Sequence, residues 1–291
     1  MSTFRQCFQR GLQVRGMVFL QPLDLVIGGA TLLFFLVSAV VNNGDVNDSL
    51  RGALLIMLIM FVVGAAIEII IEALRDLRGL GTAVGFITNG PEALCLVVGL
   101  LAGDIIFAAS TPLGSNFMNP LMLAGAALGT HTLTAVWHDN RRSTLVTLTV
   151  TAALAGLFFA LPEARYALWV GVAVALSAVL FWRRPADRQV TAKGTAANLR
   201  RWHAAAAAVL LAAAGYCLDP VVSLTAAASR APKGVIGFFV LAALTSWPEF
   251  RSCVTLLRRG RSTSAVLNIT VSNLTNLWLA ALGVVVHLAL H

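Results

Sequence analysis

Two glutamates lie inside long apolar stretches of the sequence, and each directly follows a proline. Glu92 ends the segment TNGPE, and Glu249 ends the segment TSWPE. A carboxylate inside an apolar stretch is costly to bury, so it usually faces an interior cavity and marks a functional site. Pro91 and Pro248 lack an N–H, which leaves the carbonyl four residues earlier without its helix partner. Carboxylates beside free carbonyls are hard oxygen ligands, which suit Na⁺ or Ca²⁺.

The segments around the two glutamates are copies of one motif. With a shift of 157 residues and no gaps, Glu92 aligns with Glu249, and GSNFMN (114–119) aligns with VSNLTN (271–276). The matches are mainly polar, Pro and Gly positions, so shared hydrophobicity does not explain them. The duplication predicts two equivalent halves of one site.

Helical spacing groups the oxygen-bearing side chains of each copy. Thr88 precedes Glu92 by four residues and Ser115 precedes Asn119 by four, so each pair shares a helix face. The predicted ion ligands are eight side chains: Thr88, Glu92, Ser115, Asn119, Thr245, Glu249, Ser272 and Asn276. Their two carboxylates balance one Ca²⁺ or two monovalent cations. The alternative is a structural role, with Ser, Thr and Asn as interhelical hydrogen bonds and the prolines as kinks.

The composition indicates an all-α, polytopic membrane protein. The chain is 58% hydrophobic and 12% charged, whereas soluble domains carry about a quarter charged residues. We predict nine transmembrane helices from apolar stretches near 20 residues in length. Their ranges are 22–42, 53–74, 80–102, 105–136, 144–161, 165–183, 203–228, 234–258 and 262–290.

Basic residues predict the orientation of these helices. With the N-terminus in the cytoplasm, sixteen lysines and arginines fall inside and four fall outside. The helix that carries Glu92 then enters from the cytoplasm, and the helix that carries Glu249 enters from outside. Such an inverted-topology repeat is typical of secondary transporters. We expect the protein in a bacterial inner membrane.

The sequence divides into five segments. Residues 1–21 form a cytoplasmic tail, and 22–52 an extra helix with an external loop. Residues 53–183 form a first half with one repeat at about 80–130. A basic linker (184–202) leads to the second half (203–291), which has its repeat at about 234–290.

Other classes of function lack their signals in the sequence. The net charge of +8 arises in short loops without interleaved aromatic residues, so we expect no nucleic-acid partner. The four cysteines form no CxxC pair, and a catalytic triad or a GxxxxGK loop is absent. We therefore expect a transporter without a cofactor, whose partners are the lipid bilayer and small inorganic cations; the oligomeric state stays open. Glu68 and Glu72 share a helix face and are expected to pair with Arg75 or Arg78.

The duplicated motif resembles the α-repeats of the calcium/cation antiporter superfamily. Sodium/calcium exchangers of that superfamily carry GTSxPE followed by GSNxxN or GSNxxD, which TNGPE, TSWPE and the two SN-x-x-N segments match. The resemblance implies an antiporter that exports Ca²⁺ in exchange for Na⁺ or H⁺ by alternating access. It also implies that the eight side chains above bind the ions, with the paired glutamates at the bilayer midplane.

Two departures from the family pattern keep alternatives open. Asn276 stands where many sodium-coupled members carry an aspartate. The amide leaves two glutamates as titratable groups, so a Ca²⁺/H⁺ antiporter is an alternative to Ca²⁺/Na⁺ exchange. The second half has three predicted helices where the family has five, which motivates a further alternative, a transport-inactive relative that acts as a membrane cation-binding or sensor subunit.

Overall fold

A computed structural model shows the chain as a bundle of α-helices. It describes residues 13–14, 17–18, 22–74, 77, 79–101, 105–187, 197–231 and 246–290. The helices in this part are α1 (Pro22–Val41), α2 (Val46–Ala73), α3 (Leu80–Ile87), α4 (Gly90–Leu101), α5 (Ile105–Gly129), α6 (Leu133–Ala160), α7 (Tyr166–Trp182), α8 (Ala197–Ser229), α9 (Trp247–Arg258) and α10 (Ser262–Leu290). A short 3₁₀ helix (Glu163–Arg165) precedes α7.

The segment before α1 contains a small β-ribbon. Strands β1 (Gln13–Val14) and β2 (Met17–Val18) pair antiparallel, with Gln13 opposite Val18. The sequence predicts only a tail here, and most of residues 1–21 lies outside the described part.

Within the described residues, five segments are long and apolar enough to cross a membrane. They are Val46–Ala73, Arg141–Ala160, Glu163–Trp182, Trp202–Ser229 and Ser262–Leu290. The all-α, polytopic membrane fold is confirmed. The total of nine spans stays a prediction, since the first part of the predicted helix 234–258 lies outside the described residues.

Helix α2 begins seven residues before its predicted start at residue 53. Asp45 is its N-cap, and the carboxylate accepts a hydrogen bond of 2.9 Å from the backbone N–H of Asp48. A capping carboxylate satisfies one of the free N–H groups of the first turn. The polar residues at 45–51, which the sequence assigns to a loop, therefore start the helix.

Helix α6 is continuous through residues 138–142, where the sequence predicts a loop. The turn lies earlier, at residues 130–132, where His131 has a φ of 56°. The segment HDNRR contains neither Gly nor Pro, and Arg141 lies 5.1 Å from the ring centre of Trp137, one turn earlier. Charged residues end a membrane span, but they do not by themselves end a helix.

Contacts between helix ends define two opposite faces of the bundle. On face 1, the Asp187 carboxylate accepts hydrogen bonds from the backbone N–H of Gly81 (2.8 Å) and the hydroxyl of Ser264 (2.7 Å). It joins the end of α7 to the starts of α3 and α10. On face 2, the Asp45 N–H donates to the Ala228 carbonyl, which joins the start of α2 to the end of α8.

Face 1 also holds an ionic cluster between α2 and α9. Arg259 contacts Glu72 at 3.1 Å and Glu68 at 3.3 Å, and the Thr255 hydroxyl donates to Glu68 at 2.6 Å. The two glutamates therefore pair across the bundle with a residue 187 or more positions away. The predicted partners, Arg75 and Arg78, lie outside the described residues.

The two repeats run in opposite directions through the bundle. Adding 157 to the bounds of α4 and to the start of α5 reproduces the bounds of α9 and the start of α10. Helix α9 ends at face 1, beside Glu72. Helix α4 runs towards face 2, where Leu96 and Ile105 pack on Gly283 near the end of α10. The opposite directions of the two repeats, expected from the distribution of basic residues, are present.

Helix α10 lies at the centre of the bundle and contacts α3, α5, α6 and α7. Its contact with α3 is close because two glycines of α3 face its backbone. A Cβ at Gly85 would lie 2.6 Å from the carbonyl oxygen of Asn268, and Gly81 faces Ser264 in the same way. The glycines thus bring the first repeat directly against the backbone of the second.

Candidate ion-binding site

The first repeat is interrupted by a helix break between α3 and α4. The sequence predicts one helix over 80–102, whereas α3 ends at Ile87 and α4 begins at Gly90. Pro91 occupies the second position of α4, where a missing N–H costs nothing. The Asn89 side chain donates a hydrogen bond of 2.8 Å to the Gly85 carbonyl and so replaces a backbone donor at the break.

Both glutamates occupy the third position of a half-helix. Glu92 lies in the first turn of α4 and Glu249 in the first turn of α9, directly after Pro91 and Pro248. Carboxylates are stabilised at helix N-termini by the helix dipole. Pro248 is expected to leave the backbone carbonyl of Leu244 without a helix partner, but Leu244 lies outside the described residues.

The two carboxyl groups are fully buried and are close enough for their charges to interact. Ser115 Oγ lies 3.5 Å from Glu92 Oε1, and Ser272 Oγ lies 3.0 Å from Glu249 Oε1. In each carboxyl group the second oxygen, Oε2, has no hydrogen-bond partner within the described part of the chain. Each carboxylate thus keeps one oxygen for a ligand.

Thr88 contributes to the opposite repeat from the one expected. The sequence places it on the face of Glu92, but the break between α3 and α4 removes that helical register. Its buried hydroxyl faces the Glu249 carboxyl group instead, without a hydrogen bond of standard geometry. Thr245, its equivalent in the second repeat, lies outside the described residues.

The two asparagines of the motif are buried and differ in their contacts. Asn119 Nδ2 donates to Ser272 Oγ at 3.1 Å and to Asn273 Oδ1 at 2.8 Å, which leaves its Oδ1 without a partner. Neither amide atom of Asn276 has a partner among the described residues.

Seven of the eight predicted ligands are described, and all seven are fully buried. Five of them present an oxygen that has no hydrogen-bond partner in the described part of the chain: Thr88, Glu92, Asn119, Glu249 and Asn276. Ser115 and Ser272 contact the glutamates instead. Buried polar atoms in proteins are almost always paired with protein groups or ordered water, so these five oxygens are available to a bound cation or to water.

This set of oxygens fits a hard cation. Burying two carboxylates costs several kcal/mol each unless a positive charge compensates them. Ca²⁺ takes six to eight oxygen ligands, including carboxylates and amide carbonyls, and Na⁺ is likewise a hard cation. Among the described residues, no three His, Cys, Asp or Glu side chains are placed so that they could hold one metal ion together. Neutral oxygens would therefore supply most of the coordination.

Several further side chains belong to the site, although the expected ligand set omits them. Asn89 Oδ1 lies 2.9 Å from Ser272 Oγ, which has one proton and so donates either to Asn89 or to Glu249. Asn273 connects Asn119 to Thr151 of α6. The self-alignment identifies Asn273 as the equivalent of Asn116, but no sequence signal connects Thr151 with either repeat.

Residues 202–289 match the model of the family described as sodium/calcium exchanger protein. The match covers most of α8, all of α9 and nearly all of α10, and with them Glu249, Ser272 and Asn276. Neither a curated protein nor a solved structure matches the chain. This part of the membrane protein is therefore similar to a sodium/calcium exchanger family, which is a family of transporters.

Proposed function

We propose that the protein is a secondary active antiporter that exchanges Ca²⁺ for Na⁺ by alternating access. The main support is a set of buried oxygens without a hydrogen-bond partner in the described residues, which both repeats supply and which includes Oε2 of Glu92 and Oε2 of Glu249. The exchanger family match of residues 202–289 supports the same class of cargo.

Competition for the two carboxylates accounts for the exchange. Ca²⁺ needs both negative charges, so it leaves when monovalent cations neutralise the same groups. The half-helices α4 and α9 begin near the carboxylates and run to opposite faces. Movement of one inverted repeat relative to the other would then open the site to one face at a time.

Each half of the chain contributes one repeat in this proposal. The halves are 53–183 and 203–291, joined by the basic segment 184–202 and preceded by the extra region 22–52 and the tail 1–21. The site lies at the midplane of a bacterial inner membrane, and the N-terminus is cytoplasmic.

The test is ⁴⁵Ca²⁺ uptake into liposomes that contain the purified protein and an outward Na⁺ gradient. We expect gradient-dependent uptake by the unmodified protein. The double variant Glu92→Gln, Glu249→Gln is expected to lose it, because two neutral amides cannot compensate a divalent cation.

The matched control is Asp48→Asn, which neutralises an exposed carboxylate in the ion pair with Arg51. Exposed pairs contribute about 1 kcal/mol or less, so uptake should be retained. Absence of gradient-driven uptake by the unmodified protein, or uptake that survives the double substitution, would refute the proposal.

A Ca²⁺/H⁺ antiporter is the second candidate, and the amide at position 276 favours it. With two carboxylates as the titratable groups of the motif, two protons suffice to discharge the site. Uptake driven by a pH gradient in Na⁺-free buffer would identify proton coupling. Uptake only under a Na⁺ gradient would identify sodium coupling.

A further inference from the structure

The amide of Asn273 is held in one orientation by acceptors on its nitrogen side. Its Nδ2 lies 3.0 Å from Thr151 Oγ1 and 3.4 Å from the backbone carbonyl of Asn116. The Thr151 hydroxyl donates its own proton to the Leu148 carbonyl at 3.2 Å, so towards Asn273 it acts as an acceptor. A backbone carbonyl can only accept a hydrogen bond. The carbonyls of Leu148 and Asn116 therefore fix which atom donates in each of these hydrogen bonds.

The orientation of Asn273 determines the orientation of Asn119. With Nδ2 directed at Thr151, Asn273 presents Oδ1 to Asn119 Nδ2 at 2.8 Å. Asn119 Nδ2 also donates to Ser272 Oγ. The oxygen of Asn119 is the atom left over, buried and without a partner in the described part of the chain.

We infer that Thr151 is a positioning residue that orients Asn273 and thereby presents the Asn119 oxygen to the transported cation. Outer residues that fix the orientation of metal ligands strengthen binding without touching the ion. The inference rests on the proposed function, because it takes Asn119 Oδ1 as an ion ligand. It gives α6, which carries neither repeat motif, a part in the affinity of the site.

The equivalent pair of asparagines, with the roles of the two repeats exchanged, provides an internal comparison. Asn116 is the equivalent of Asn273, and Asn276 is the equivalent of Asn119. The side-chain amides of both lack partners among the described residues. The orienting chain therefore acts on one half of the site, and the two asparagine ligands are not interchangeable.

The test compares two valine substitutions on the same face of α6. Thr151→Val removes the nearer of the two acceptors of Asn273 Nδ2, while Thr144→Val removes a buried hydroxyl that has no hydrogen-bond partner in the described residues. We expect Thr151→Val to raise the Ca²⁺ dissociation constant about three- to tenfold, which is the loss of one hydrogen bond expressed as affinity. Thr144→Val and the rescuing variant Thr151→Ser should stay near the unmodified value.

Equilibrium Ca²⁺ titration of the detergent-purified protein is the primary measurement, with liposome flux measured in parallel. In flux, Thr151→Val should raise the half-saturating Ca²⁺ concentration and leave the maximal rate unchanged. In an Asn119→Ala background, Thr151→Val should have no further effect, because the residue it acts through is gone.

The inference is overturned if Thr151→Val binds Ca²⁺ as Thr144→Val does, or if its effect persists without the Asn119 amide. Ca²⁺ binding by the unmodified protein without flux overturns the antiporter alone, and the titration still decides the role of Thr151. Absence of Ca²⁺ binding by the unmodified protein overturns both.

Discussion

Asn119 and Asn276 occupy equivalent positions in the two repeats, yet their surroundings differ. Asn119 donates two hydrogen bonds to Ser272 and Asn273, whereas the amide of Asn276 makes none with the described residues. The duplicated sequence predicts equivalence here. It fails because Asn119 bonds to Ser272 and Asn273 of the other copy of the motif, and Asn276 makes no corresponding bonds with the described residues.

This difference predicts unequal effects of one substitution at the two positions. Asn119→Asp replaces a donor by a carboxylate oxygen that faces the Asn273 oxygen, whereas Asn276→Asp removes no hydrogen bond. Both variants add one negative charge, so the comparison isolates the hydrogen bonds. We expect Asn119→Asp to lower the free energy of unfolding by about 1–3 kcal/mol more than Asn276→Asp does.

Thermal unfolding in detergent with a Ca²⁺ chelator measures this difference. A gap of this size should separate the two midpoints by several degrees. Equal midpoints would show that the Asn119 hydrogen bonds do not stabilise the fold.

Single residues also show where the sequence stops being informative about the site. Glu92 and Glu249 are recognisable because a carboxylate after a proline inside an apolar stretch is costly and occurs twice. Thr151 is one of several threonines in α6, and only its contact with Asn273 distinguishes it. Asn89 is likewise identified by the helix break that it helps to complete.

At the scale of elements, α3 and α10 are held together by small residues. Gly85 of α3 faces the Asn268 carbonyl so closely that a methyl group at this position would displace backbone. We expect Gly85→Ala to lower the free energy of unfolding by about 1–3 kcal/mol, which is typical of overpacking.

Gly171→Ala in α7 is the matched control, since nothing lies within 4 Å of its added methyl group. Alanine is the better helix former by about 1 kcal/mol, so this variant should be neutral or stabilised. The same thermal unfolding measurement applies to both glycine variants. A Gly85→Ala protein as stable as Gly171→Ala would contradict the close packing of α3 on α10.

The helix boundaries show which sequence signals decide an element. The Pro–Glu dipeptide coincides with the break before α4, and Asp45 caps α2. The charged segment 138–142 does not interrupt α6. Charged side chains make a helix prefer water over lipid, but they do not break its backbone hydrogen bonds. Caps and prolines act on the backbone itself, so they predict boundaries better than polarity does.

At the scale of the whole molecule, the two faces of the bundle differ in charge. Face 1 carries Arg183 and Arg184 after α7 and Arg258 and Arg259 at the end of α9. The excess of basic residues predicts that this face is cytoplasmic.

Cysteine labelling tests that orientation. Ala164 lies exposed on face 2 and Ala186 lies exposed on face 1. In a background without the native cysteines, an impermeant maleimide should label Ala164→Cys in intact spheroplasts. It should label Ala186→Cys only after the membrane is disrupted. The reverse pattern would show that the bundle has the opposite orientation.

The hydrogen bonds between Asn89 and Ser272 join residues 183 positions apart. At about 5–20 residues per second, a ribosome makes the second partner roughly 10–40 seconds after the first. During synthesis, the first repeat therefore enters the bilayer long before α10. That helix packs on the glycines of α3 and forms hydrogen bonds with the Asn89 side chain. Until α10 is made, the helices of the first repeat lack the surface on which Gly81 and Gly85 pack. Helix α10 is thus the surface on which the first repeat completes its packing.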